Sequence, residues 1–386
     1  MPVVTVVLLL VFGNYLATLS QIDPLSLAQN RRMRFQSSDS LEVNPSPEFT
    51  QVERKWADAV VRNGFTRESS RPAILYFGDS QTMALVDWRP GDLTAPQWLQ
   101  IFLLRRLGEA HAPVVILGSQ ANLNMAEFLI ELVSATQWNP PVIQTVIASL
   151  ALKEWTRLGI RDTIAAEARA PEVRATLAAL VASHPDLTDA DAVLKPLVSS
   201  APRSQASQVS NPRSVYNRFN DQIQRVADML PLFSVRPYLY ADLSVAYINA
   251  RNWLLNIRTD TPRPVPAQAF RGSLELLEIT LDYAQARKIP VVLYLAPVRN
   301  VEPNPNLPVD LEHFDKSVQA IAEEHNVVTL NYSNLVPDNL WIRSPDDSRD
   351  PDRDFAHFTG DAHKLVAQHL MSDIGGRLVD WKAGSP

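Results

Sequence analysis

The sequence predicts an α/β fold: a doubly wound parallel sheet interrupted by one large helical insertion. Short apolar runs of strand length recur along the chain, and segments of helical periodicity separate nearly all of them. The insertion follows from a third observation. About 140 residues, Leu150 to Pro290, lie between the third and fourth strand candidates, far more than one crossover requires.

The chain opens with Pro2–Leu19, apolar but for Thr5, Asn14 and Thr18. Residues 1–20 are expected to form a membrane anchor or a signal segment, because roughly 20 apolar residues cross a bilayer as a helix. Arg31, Arg32 and Arg34 follow this segment and no cation precedes it, the reverse of the positive-inside pattern for an exported body. A longer N-terminus or a cytoplasmic body would each reconcile the two. Residues 21–69 read as a polar linker with a short amphipathic helix at Glu53–Asn63.

The sheet is expected from 70–150 and 270–386. Its strands are Ala73–Phe77, Val114–Leu117, Val142–Ser149, Val291–Leu295 and Val327–Tyr332, each a short apolar run. Trp98–Gly108, Asn124–Gln137, Ala267–Arg287 and Leu311–His325 carry the helical spacing between them, and a last helix, Gly360–Trp381, packs back on the sheet. The insertion, 151–269, reads as wholly helical: Arg161–Ser183, Asp189–Val198, Ser214–Met229 and Tyr238–Ile257, divided by a Ser/Pro/Gln-rich break at Ser199–Pro212. A lid, a partner surface and a membrane-facing cap are its three readings.

Composition removes several function classes. A formal charge of -6 with no long basic run argues against nucleic acid as a partner. With no cysteine, disulfides and thiolate metal sites are excluded. Neither a Walker loop nor a GxGxxG sequence occurs, so no cofactor is expected.

Chemistry is expected where the first strand ends. In open α/β sheets ligands sit beyond the carboxyl ends of the strands, and Gly78-Asp79-Ser80 falls there. A serine hydroxyl attacks only when a base removes its proton. His184, His313, His325 and His111 lie in or beside helices and read as surface histidines. His357 instead sits in a loop before the last helix, with Asp354 three residues upstream. That spacing can set a carboxylate on one ring nitrogen and leave the other facing outward, the orientation a serine-directed base requires. Taken alone, the Gly-Asp-Ser turn and the Asp354–His357 loop also read as an ordinary turn and a helix cap, with Thr359 a fair N-cap.

Here the chain resembles the SGNH (GDSL-like) hydrolase superfamily. "YFGDSQT" is similar to its GDSx block, "DFAHF" to its C-terminal DxxH block, and the strand ending at Gly118 to its glycine block. The order of the blocks also fits. The resemblance covers roughly 70–150 and 270–381 and implies a flavodoxin-like sheet. It implies Ser80 as nucleophile, His357 as base, Asp354 as the group that orients the imidazole, and the backbone N–H groups of Ser80 and Gly118 as oxyanion donors. The superfamily's GxND block is missing: "VIASLALKEW" stands in its place, and Asn122 and Asn124 belong to the wrong block.

This departure, with the N-terminal segment and the insertion, is similar to membrane-anchored members that assist envelope acylation, the alginate O-acetylation and D-alanyl-lipoteichoic acid export types. "IPVVLYLAPVRN" resembles the corresponding strand of the latter. The resemblance implies an extracytoplasmic, anchored or secreted serine esterase or O-acyltransferase whose substrate is an acyl ester of an envelope carbohydrate. The alternative is an inactive partner protein of a membrane acyl-transfer system. A cytoplasmic hydrolase follows only if residues 1–20 are neither anchor nor signal. His363 and His369, with Asp361 and Asp373, are spaced poorly for metal ligation and read as a surface face. The acidic run Pro345–Asp354 reads as a solvated loop.

Overall fold

The computed structural model describes residues 35–36, 49–62, 71–83, 85–86, 89, 91–118, 123–137, 143–199, 254, 261–301, 304–342 and 355–380. Apart from Leu254, these fall in one compact unit, Phe35–Ser200 with Thr259–Pro386.

Its centre is a five-stranded sheet. In chain order the strands are β2 (Ala73–Phe77), β4 (Val114–Leu117), β5 (Ile143–Leu150), β6 (Val291–Leu295) and β7 (Val328–Asn331). They lie in the order β4-β2-β5-β6-β7 and every neighbouring pair is parallel. Numbered within the sheet this is 2-1-3-4-5, the flavodoxin-like doubly wound order. The winding direction reverses between β2 and β5, so a crevice opens at the carboxyl ends of those two strands.

The β2 sequence AILYF shows why the strands read as unbroken apolar runs. All five residues are buried, because helices cover both faces. Ala73, Leu75 and Phe77 point into one core, and Ile74 and Tyr76 into the other. The first core is closed by α4 (Met125–Gln137), α8 (Ala267–Ala286) and α9 (Pro308–Glu324); the second by α1 (Gln51–Arg62), α3 (Ala95–Leu107) and α10 (Gly360–Asp380).

Helix starts are set by local hydrogen bonds. The Thr50 N–H donates to Glu53 Oε2 (2.7 Å) and the Glu53 N–H to Thr50 Oγ1 (3.2 Å), a capping box that begins α1 two residues before the expected start. Asn124 and Glu127 make the same reciprocal pair at α4. The α3 helix ends at Gly108, whose φ of 72° lies in the region glycine tolerates.

Two expectations are corrected. Arg161–Ser183 is not one helix but α5 (Asp162–Glu167) and α6 (Pro171–Ser183). Pro171 lacks an N–H and its ring pushes the preceding residue out of the helical region, so Ala170 adopts ψ 135°. The expected linker also contains a strand: β1 (Phe35–Gln36) pairs antiparallel with β3 (Leu85–Val86). Two residues per strand is too short to show as a pattern in the sequence.

Within the expected insertion, α5, α6 and α7 (Thr188–Ser199) pack on the sheet domain. Ile164, Val173, Leu177 and Leu194 share the core that holds Leu276 and Leu277 of α8. The expected helices Ser214–Met229 and Tyr238–Ile257 lie outside the described residues, as does Pro2–Leu19. Among the described residues no helix is long and apolar enough to cross a membrane.

Candidate active site

β2 ends at Phe77, and the chain turns through Gly78 and Asp79 into α2, a single turn at Ser80–Met83. The turn requires its glycine. A Cβ at position 78 would stand 2.4 Å from Thr82 Cγ2 and 3.0 Å from Ser149 Cβ. Asp79 builds the turn from within. Its Oδ1 accepts the Gln81 N–H (2.9 Å), and its carbonyl accepts both the Thr82 N–H (3.1 Å) and the Thr82 hydroxyl (2.8 Å). The Gln81 amide then donates to the Pro297 carbonyl beyond β6 (3.0 Å), tying the turn across the crevice.

His357 arrives from the other end of the chain. The segment 340–342 pairs with 357–359: the Ile342 N–H donates to His357 O (3.2 Å) and the Thr359 N–H to Leu340 O (2.9 Å), with Trp341 opposite Phe358. Thr359 O then accepts the N–H groups of Ala362 and His363 as α10 begins. The partner segment is itself braced by Arg299, a buried guanidinium whose Nε donates to Asp338 (2.7 Å) and Nη1 to Ile342 O (3.4 Å).

These supports bring His357 Nε2 to 3.2 Å from Ser80 Oγ, a hydrogen bond between residues 277 apart in sequence. Both side chains are half-buried. A base within this reach of a hydroxyl at a strand's carboxyl end can draw off its proton. Asp354, expected behind the imidazole, lies outside the described residues.

The expected oxyanion donor Gly118 is placed differently. Its N–H donates to Tyr76 O (2.9 Å), continuing the ladder between β4 and β2. One N–H carries one proton, so in this geometry it does not face an oxyanion at Ser80. The structural reason for the glycine is steric, since a Cβ there would lie 2.5 Å from the Phe77 ring. The Ser80 N–H, at the first position of α2, has no backbone partner among the described residues. Asn124 is also engaged: its Nδ2 donates to Gly159 O (2.6 Å) and its Oδ1 caps α4.

The site holds charges that the sequence reading passed over. Lys153 and Glu154 lie on a 3-10 turn (Leu152–Thr156) directly after β5. Lys153 Nζ pairs with the buried carboxylate of Asp79 at 2.7 Å. Glu154 is buried beside the same carboxylate, and Arg157 approaches it at 3.6 Å. Burial, then the Asp79 charge, push the Glu154 carboxyl up to about 7. The signal was present in "LALKEW": two adjacent charges at a strand's carboxyl edge.

Beneath the turn, the Tyr76 and Tyr294 hydroxyls are 2.8 Å apart, and burial raises both phenols above their usual range. A shallow depression runs from Gln81 past Leu152 and Lys153 to Pro297, Phe314 and Phe355. His363, read as part of a surface face, is fully buried and accepts the Ala95 N–H at Nδ1 (3.2 Å). Among the described residues no group of three or more metal-ligating side chains converges.

No protein-family model and no curated protein matches the sequence. Among solved structures, the chain is similar to a Bacteroides fragilis protein provisionally described as an acylhydrolase. The two are 10% identical, the match covers 87% of this chain and 99% of that one, and the TM-score is 0.33. The fold therefore rests on the strand order and winding described above.

Proposed function

We propose that the protein is a serine esterase or O-acyltransferase of the SGNH type, acting on an acyl ester of an envelope carbohydrate or a similar substrate. The observation that carries this reading is the 3.2 Å approach of His357 Nε2 to Ser80 Oγ at the carboxyl ends of the strands. In the proposed reaction Ser80 Oγ attacks the ester carbonyl while His357 takes its proton. The alcohol then leaves with that proton, and water or a sugar hydroxyl, deprotonated by His357, releases the acyl group. Asp354 orients the imidazole, and residues 1–20 tether or export the protein to the extracytoplasmic side.

A second reading is an inactive partner of a membrane acyl-transfer system. The engagement of the Gly118 N–H in the sheet favours it, because losing one oxyanion donor typically removes about 3 kcal/mol of transition-state stabilisation. Hydrolysis of p-nitrophenyl acetate by the wild type, Ser80→Ala and His357→Ala separates the two. An active wild type with both variants reduced at least a hundredfold supports the enzyme. Folded wild type no faster than either variant supports the partner. Adding a hydroxyl-rich glycan acceptor and measuring acyl-glycan product against free acetate distinguishes transfer from hydrolysis.

A further inference from the structure

Behind the Ser80 turn lie two buried carboxyls, Asp79 at 2% exposed and Glu154 at 6%, and the Asp79 charge acts directly on Glu154. Two ionised carboxylates in contact with little water repel strongly, so such pairs share a proton. The hydrogen bonds locate it. Asp79 Oδ1 is occupied by the Gln81 N–H and is an acceptor there. Asp79 Oδ2 is buried and faces the Lys153 ammonium at 2.7 Å, which engages one of its two lone pairs. In its protonated form Glu154 has an O–H that the second lone pair of Asp79 Oδ2 can accept.

We propose that Glu154, in its protonated form, is a positioning residue that holds Asp79 and thereby the Ser80 turn, so that its ionisation lowers the reactivity of Ser80. This rests on Ser80 being the nucleophile. When Glu154 loses its proton, the Oδ2 contact turns repulsive and the Asp79–Gln81 link that shapes the turn is strained. A further buried negative charge also stands beside the place where the oxyanion develops, which raises the barrier. Lys153 and Arg157 face Glu154 from its own 3-10 turn and favour its ionised form; Asp79 from the β2 turn opposes it. Tyr294 of β6 lies near Asp79 as a neutral phenol. From α4, Asn124 lines the same small pocket as Glu154, and Glu127 is already paired with Arg161. Burial and Asp79 outweigh the cations, which agrees with the upward shift.

The test is the pH profile of Ser80 phosphonylation by a small fluorophosphonate, for wild type, Glu154→Gln and Glu154→Ala. The Gln amide can still donate to Asp79 but does not titrate. A wild-type rate that falls at least fivefold between pH 7 and 9, a Gln variant lacking that fall, and an Ala variant slow at every pH support the proposal. Superimposable profiles for wild type and Gln overturn it. If Ser80 is not labelled at any pH, the functional reading fails, and the shared proton is read independently. Infrared difference spectra of wild type minus Glu154→Gln at pH 6 then show a protonated-carboxyl band if the pair exists, and its absence overturns the inference.

Discussion

Arg299 and Asp338 form an ion pair of unequal partners: the guanidinium is 6% exposed and the carboxylate 60%. The pair spans from the loop after β6 to the segment that pairs with His357, so it links the sheet to the candidate base. Removing the exposed partner is expected to cost more than removing the buried one. Asp338→Ala leaves a buried guanidinium short of its carboxylate, a loss of about 2 kcal/mol after allowance for solvent on the Asp338 side. Arg299→Met places an apolar chain in the same space and costs under about 1 kcal/mol in stability. Both loosen the 340–342 segment, and both slow the Ser80 reaction. Urea unfolding with an esterase assay on each variant checks this order.

Gly78 is expected to be intolerant of even one methyl. Gly78→Ala forces Cβ against the Thr82 side chain, and overpacking of this kind costs about 1–3 kcal/mol. Thr82→Ala in the same chain removes the contacted atoms. It also removes the hydroxyl bond to Asp79 O, so rescue of stability is partial. A double-mutant cycle on unfolding midpoints gives the coupling, expected to be favourable to the double variant.

Stability is expected to fall as pH rises from about 4.5 to about 7, through Glu154. Its carboxyl is raised from 4.5 to about 7 in the native state, so across that window the unfolded chain releases a proton that the folded protein keeps. The native state then binds more protons, and stability declines with pH. Below 4.5 both states hold the proton and the contribution is flat. Glu154→Gln abolishes this slope, and urea midpoints at pH 4, 5.5 and 7.5 measure it.

A separate limb belongs to Asp282, which bridges His184 (2.8 Å) and His325 (3.3 Å). Burial lowers the His184 pKa, but hydrogen bonds to Asp282 and the Leu180 carbonyl outweigh it, and the net shift is upward. The stabilisation is therefore complete below the unfolded value near 6.5 and lost as pH rises through the higher folded value. Asp282→Asn is expected to lower the His184 pKa by NMR titration and to remove the stability lost as pH rises above 6.5.

The sheet was legible in the sequence because burial on both faces leaves an unbroken apolar run, and AILYF, VVIL and VVLYL end where those runs end. The break at Pro171 was missed: proline's restriction on Ala170 signals it, but helical periodicity on both sides masked the signal. Ser80 and His357 could be paired from their positions at element ends. Gly118 could not be read correctly, because a glycine looks alike whether its N–H faces a ligand or its missing Cβ admits a neighbouring ring. Glu154 and Asp79 are 75 residues apart, and only the β2–β5 pairing brings them together. His363 was misread because burial on α10 depends on α3, which the local pattern does not reveal.

Ser80 is the proposed nucleophile, and His357 the base that activates it. Intact-mass analysis after treatment with a fluorophosphonate tests this most directly, with the adduct located by peptide mapping. The expected result is a single phosphonyl group on Ser80, none on Ser80→Ala, and at least a hundredfold slower labelling of His357→Ala. A folded wild type that takes up no phosphonyl group, or a Ser80→Ala variant labelled as fast as wild type, would contradict it.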